Sequence, residues 1–326
     1  MIITKTPLRM SYVGGGSDLP SYYSKYGGAV ISTTVNKFVY VIVKPRFEKG
    51  IRLSYSKTEN VLTRDEIEHP LVREAIRMLN IDDDIEIVST ADIPSTGTGM
   101  GSSSSFSVGL IKALTAFKGL SLPDLKIAEM ACNLEIDLCK NPIGKQDQFA
   151  AAFGGLRVYR FNSDDSVSIE SVTCNKQTIK KLNNETIAFY IGGTRSANDI
   201  LKQQSADLNN KDKAQAMAKM VKLVWDMKSE LESQSTENFG AILNENWEIK
   251  RALSNDISNS KVDEIYDIAI SCGSTGGKLL GAGGGGFMVF HAPSGDIKSA
   301  IEKSLYKLRR VNLDVEPTGS SIIFYQ

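Results

Sequence analysis

The sequence predicts an α+β fold in two units, and three observations carry that prediction. Extended, β-branched runs crowd the first half, at 2–13, 39–43, 51–56 and 85–88. Segments with helical apolar spacing follow them, and a weakly patterned stretch, TCNKQTIKKLNNE at 173–185, separates this half from a second mixed region. The length of 326 residues suits one large or two medium domains with a sizeable core.

In order, IEIV at 85–88 leads into the glycine-serine stretch PSTGTGMGSSSS at 94–105. Phe106, Leu110, Leu114 and Phe117 then recur at helical spacing. Ser121 with Asp124 three residues on reads as a capping box before a second helix, whose apolar stripe is Ile127, Ala131, Leu134 and Leu138. QDQFAAAF is a short helix ending at Gly154-Gly155, and LRVYRF with VSIESV forms a hairpin around NSDD. Beyond the boundary, IAFYIGG is a strand, 196–254 is mostly helical, and a further helix covers 262–272. GKLLGAGGGGFMVF, a helix near 297–308 and strands LDVEP and SIIFYQ complete the second unit.

Composition narrows the function. Lysine plus arginine equals aspartate plus glutamate at 38 each, which gives no support for a nucleic-acid or membrane-surface partner. No signal peptide or membrane-length apolar run is visible, so a cytoplasmic location is expected. Four cysteines without CxxC spacing and only two histidines argue against zinc and for reduced thiols.

Three glycine clusters stand out: VGGGSD at 13–18, the 94–105 stretch and GAGGGG at 281–286. The middle one lies between a strand and a helix, where free N–H groups and the helix dipole make an anion site. A capped helix after a glycine turn fits the same residues. No Walker A loop exists, because Gly144-Lys145 and Gly277-Lys278 are followed by glutamine and leucine. GAGGGG matches the dinucleotide fingerprint by letter, yet a strand, FMVF, follows it where that motif must open a helix.

Candidate chemistry gathers around these clusters. Glu135 flanks the second helix's stripe, aligned with Ala128, Cys132 and Cys139, and an inward carboxylate there wants a partner such as a metal; a surface salt bridge is the alternative. Asp147 opens the alanine-rich helix, as a dipole-complementing acid or as a catalytic carboxylate. Arg9, just ahead of VGGGSD, is either a surface residue or a charge partner for Asp147 that would favour a developing alkoxide. GGTRSAND follows a strand and opens a helix, so Thr194, Arg195 and Ser196 offer a pocket for a phosphate or a plain surface cap.

Together, PLRMSYVGGGSD, PSTGTGMGSSSS and GKLLGAGGGGFMVF, in this order, resemble the three motifs of the GHMP kinases. The resemblance spans 7–290 and implies the two-domain fold of that superfamily. An amino-terminal domain like ribosomal protein S5 domain 2 would cover 1–180, and a ferredoxin-like carboxy-terminal domain would cover 181–326. It implies ATP as co-substrate, with the phosphates cradled by Pro94, Gly97, Thr98, Gly99, Met100, Gly101, Ser102, Ser103 and Ser104. Ser103 and Glu135 look like the Mg2+ ligands, and Asp147 with Arg9 looks like the catalytic pair. Gly15, Gly16, Ser17 and Asp18, with Asp147, Thr194, Arg195, Gly284 and Gly285, would meet the acceptor.

Galactokinases carry Gly-Glu-His-x-Asp where this chain has Gly14-Gly15-Gly16-Ser17-Asp18, which disfavours galactose and leaves room for a bulkier sugar. The motif variants, with GKQDQFAAAFGG, look most like D-glycero-α-D-manno-heptose 7-phosphate kinases, which phosphorylate the anomeric hydroxyl on the route to GDP-heptose. The expected partner is therefore a small sugar phosphate, with a homodimer left open. The alternatives are a kinase for another sugar, of the L-fucose or galactose type, and a non-catalytic sugar and nucleotide sensor.

Overall fold

The computed structural model of the chain describes residues 1–82, 84–94, 97–193, 211–254 and 256–326. Two long strands, β1 (Ile2–Val13) and β2 (Gly28–Pro45), form the spine of the first sheet and pair antiparallel along their length. The register shifts between Pro7 and Leu8. Proline has no N–H to give a ladder, and such an irregularity lets a strand keep one while bending its continuation. Arg9 lies just past that bend.

The sheet grows outward from the spine. β3 (Ile51–Ser54) pairs parallel with β5 (Ile85–Ala91) and antiparallel with β4 (Thr58–Val61), while β5 lies against the second half of β2. β6 (Leu156–Phe161) takes the first half of β2, with β7 (Val167–Ser171) outside it. On one face lie α3 (Ser102–Phe117), α4 (Asp124–Cys132) and α5 (Gln146–Phe153), with α1 (Pro20–Tyr26) and α2 (Pro70–Met78) earlier in the chain. Val108, Leu110, Ile111 and Leu114 of α3 are fully buried, which fixes this helix and its amino-terminal loop over β1 and β2.

The second unit has a four-stranded antiparallel sheet. Its order is β11 (Arg309–Val311), β8 (Thr186–Gly192), β10 (Gly286–His291) and β9 (Gly276–Leu279). Around it stand α6 (Lys176–Glu185), α8 (Phe239–Leu253), α9 (Ser260–Ser271) and α10 (Gly295–Ser304). Phe189, Trp247, Tyr266 and Phe290 anchor its core. α7 (Lys211–Glu232) packs on α8 and reaches β1 and β2, and α8 lies on β9 while touching β1. β12 (Ser321–Tyr325) returns to the first sheet and pairs with β1. Among the described residues no helix is long and apolar enough to cross a membrane.

Several local expectations change. The unpatterned stretch at 173–185 holds α6, capped by Asn175, whose side-chain oxygen accepts from Thr178 N–H at 2.8 Å. Its apolar stripe is so thin, chiefly Ile179 and Leu182, that polar residues hid it. Ser121 and Asp124 form no capping box, because α4 starts at Asp124 behind Pro123 with no side-chain cap. LDVEP contributes an isolated bridge, Val35 to Val315, in place of a strand. The described part of 196–254 is two helices, α7 and α8.

Candidate active site

After α4 the helix widens into a π-helical segment, Asn133–Leu138. The extra residue per turn re-aims the side chains. Leu138 is left 42% exposed while Glu135 is completely buried. Both Glu135 oxygens are held: Ser103 Oγ donates to Oε1 at 2.7 Å and Gln148 Nε2 to Oε2 at 2.6 Å. Burial pushes its carboxyl pKa up, with the Ser103, Ser104 and Gln148 hydrogen bonds opposing the shift. Both of these partners are neutral, and hydroxyl plus carboxylate is a hard oxygen donor set suited to Mg2+. Among the described residues no group of three or more His, Cys, Asp or Glu side chains converges as a metal cage.

Asp147, in the first turn of α5, meets Arg9 of β1. The guanidinium grips it through two bonds, Nε to Oδ1 at 2.6 Å and Nη2 to Oδ2 at 2.7 Å, and Arg9 Nη1 donates to Gly99 O at 2.6 Å. Arg9 is almost wholly buried and the Asp147 side chain is 21% exposed, so the aspartate is the accessible half of the pair. A bidentate fork fixes both position and orientation. The glycine-serine loop lies directly on them. Gly101 has φ of +71°, and a β-carbon there would sit 3.0 Å from Asp147 Oδ2 and 3.3 Å from Arg9 Cγ. Glycine is needed for the conformation and for the close approach.

Asp18 is buried, accepting from Gly16 N–H at 3.0 Å and from Gln146 N–H and Nε2 at 3.3 Å each. Burial, and secondarily the Asp147 charge, raise its pKa. Ser17 is turned to other work, since its hydroxyl exchanges hydrogen bonds with Ala29 O and N at 2.9 and 3.1 Å. Within the loop, Thr98 Oγ1 and Ser102 Oγ lie 3.2 Å apart, while Ser104 and Met100 are buried and Pro94 and Gly97 form its approach.

The third glycine run touches the loop through members that the sequence reading passed over. A β-carbon on Gly281 would overlap Gly99, and one on Gly286 would meet Thr98 O at 2.5 Å. Gly284 and Gly285 instead pack by Ile257 and the end of β8 at Gly192 and Gly193. Thr194 and Arg195, which follow that end, lie outside the described residues. The β-strand after GAGGGG, expected from FMVF, is β10.

Two buried lysines also escaped the sequence reading. Lys250 of α8 donates to Gly281 O at 2.8 Å, and its pKa is lowered to about 8 by burial, with Arg9 adding to the lowering and Asp18 and Asp147 opposing it. Lys278 of β9 donates to the carbonyls of Ser11 and Tyr12 at 2.8 and 2.9 Å; burial, then Lys250 and Arg9, hold its pKa well below normal. A signal existed. Leu243, Trp247 and Lys250 follow helical spacing, so the lysine continues an apolar stripe.

A glycine-serine loop lying over an arginine-aspartate pair suits phosphoryl transfer, a reaction run by positioning and charge. The GHMP kinases N terminal domain model matches residues 70–155 and the GHMP kinases C terminal model matches residues 227–307. The chain belongs to the GHMP kinases and has their two-domain α+β fold and ATP-dependent kinase activity. It is 29% identical over 313 residues to the D-glycero-α-D-manno-heptose 7-phosphate kinase of Campylobacter jejuni, covering 89% of this chain and 88% of that one. It is 25% identical to the L-fucokinase/L-fucose-1-P guanylyltransferase of Bacteroides fragilis, covering 92% of this chain but only 35% of that protein. A crystal structure of a D-glycero-D-manno-heptose 1-phosphate kinase from Bacteroides thetaiotaomicron shares the fold at a TM-score of 0.82 and 23% identity, each chain covered in full.

Proposed function

We propose that this kinase is a sugar kinase that transfers the ATP γ-phosphoryl group to the anomeric hydroxyl of D-glycero-α-D-manno-heptose 7-phosphate. The observation that carries the reading is the Arg9–Asp147 fork lying directly beneath Gly101 of the phosphate loop. Asp147 takes or orients the proton of the attacking hydroxyl, and Arg9 holds that carboxylate and balances charge as the new bond forms. Ser103 and Glu135 would hold Mg2+, which when bound neutralises charge on the phosphates. Loop N–H groups from Gly97 to Ser104 orient the nucleotide, and Asp18 with Gly15 and Gly16 faces the sugar. Thr194 and Arg195 would take the 7-phosphate, and Gly284 and Gly285, which pack by the end of β8, would lie on the same side of the acceptor.

The substrate rests on the likeness to the Campylobacter jejuni enzyme and on the glycines that replace the galactokinase Glu-His pair. A cytoplasmic setting agrees with four cysteines that form no disulfide. The test is ADP release over a panel of free and phosphorylated sugars, with phosphorus NMR to locate the new ester. Heptose 7-phosphate should give the highest kcat/KM and a product phosphorylated at C1. Preference for L-fucose would reassign the substrate, and ATP binding without ADP release on any sugar would make the chain a sensor.

A further inference from the structure

Gly15 has no backbone reason to be glycine. Its φ lies outside the left-handed region, and the atoms nearest to a β-carbon there would be Ser11 Oγ at 3.4 Å, Gln146 Nε2 at 3.8 Å and Lys250 Nζ at 3.9 Å. These are ordinary contact distances, so the position tolerates a side chain sterically. What surrounds it is a ring of polar atoms drawn from β1, α5 and α8, two units meeting at one point.

The ring is under-used. Ser11 Oγ, Gln146 Oε1 and Asn246 Nδ2 are buried without a hydrogen-bond partner. Asn246 stands one turn before Lys250 on α8, and its oxygen accepts from Gly14 N–H at 3.1 Å. Lys250 gives one hydrogen bond, to Gly281 O, and an ammonium carries three N–H donors. Buried polar atoms in native proteins nearly always find partners, so such a concentration points to a polar ligand. The mixture identifies its chemistry. Lys250 donates, Gln146 Oε1 and the Asp18 carboxylate bonded to Gln146 accept, and the Ser11 hydroxyl does either. A phosphate would face those acceptors at a cost, whereas a hydroxyl both gives and receives.

We propose that Gly15 leaves open a recess in which Lys250, Ser11 and Gln146 bind acceptor hydroxyls next to the one addressed by Asp147. The inference rests on the sugar-kinase reading above and deepens it. Lys250 is in this view a residue of the carboxy-terminal unit that reads the sugar, so the acceptor is gripped from both sides of the cleft. Glycine at 15 is kept for the volume it frees.

The experiment compares wild type with Gly15→Ala and Lys250→Met, using calorimetric binding of the sugar to the whole enzyme, steady-state kinetics for both substrates, and melting temperature. Gly15→Ala removes no polar group and should melt as wild type does, yet raise the sugar Kd and KM about 10- to 100-fold, with the KM for ATP within about twofold. Lys250→Met should raise the sugar Kd and KM in the same way, with the KM for ATP again within about twofold, whatever its melting temperature. Deoxy analogues of the accepted sugar should lose affinity for wild type at one hydroxyl and lose nothing further in Lys250→Met, as coupled partners do. Unchanged sugar binding in Gly15→Ala, or an equal loss for ATP and sugar in both variants, overturns the recess. Wild-type enzyme that phosphorylates no sugar of the panel overturns the sugar-kinase reading and the recess with it.

Discussion

Arg9 holds Asp147 by both carboxylate oxygens, at 2.6 and 2.7 Å, from a strand in the first sheet to the first turn of α5. Asp147→Asn keeps the shape but breaks one arm of the fork. Turnover should fall by about 10²- to 10⁴-fold if the carboxylate accepts the proton. Leaving a buried arginine half-paired should also cost roughly 1–3 kcal/mol of stability. Turnover, nucleotide affinity and melting temperature measured on one preparation separate the two effects. Near-normal turnover with ATP still bound would move proton acceptance elsewhere.

Glu135→Gln should leave the fold intact, because the amide can keep the Ser103 contact in a site already lined by neutral donors. It should raise the Mg2+ concentration needed for half-maximal rate by about tenfold or more, through loss of the one charged ligand. A magnesium titration reads this directly, and an unshifted midpoint removes Glu135 from the metal site.

Gly281→Ala should damage nucleotide binding from a distance. Its φ is +81°, and the added carbon would collide with Gly99 in the phosphate loop. The expected result is a lower melting temperature and a raised KM for ATP. Normal values for both would mean that the two glycine runs separate freely.

Lys250 gives stability a pH dependence of known sign. Its folded pKa is about 8 against an ordinary 10.5, set by burial and Arg9 and opposed by Asp18 and Asp147, with Lys278 also close enough to repel it. Between those values the unfolded chain binds more protons than the folded one, so stability rises with pH across that window. Below pH 8 the cost of the buried charge is fully present. Relative to Lys250→Met, wild type should gain up to roughly 3 kcal/mol between about pH 7 and pH 10.5. Denaturant unfolding of both proteins across that range measures the gap, and a gap constant with pH would place Lys250 in solvent.

Much of this site was legible as letters. Glycine motifs in order pointed to the loop and to Arg9 beside the first of them, because close backbone approach demands glycines in a fixed pattern, while helical spacing pointed to Glu135 and a helix start to Asp147. Glu135 was legible because it follows the buried Ala128, Ala131 and Cys132 at helical spacing, whereas the π-helical turn that leaves Leu138 exposed has no periodic trace. Lys250 and Lys278 were missed because a lysine reads as solvent-facing, and only the packing of α8 and β9 against β1 reverses that. Gly281 and Gly286 were overlooked for Gly284 and Gly285, since a run of identical residues does not say which member touches the loop. α6 was lost to its polar composition.

The pairing of β12 with β1 bears on how the protein is made. On a ribosome, β1 emerges long before β12, which appears only after the entire second sheet. The amino-terminal sheet must therefore wait with one edge of β1 bare, holding unpaired N–H and C=O groups of the kind that recruit foreign strands. Folding of this kinase cannot finish domain by domain in the order of synthesis. Its most exposed moment is the interval before residues 321–325 arrive to cover that edge of β1.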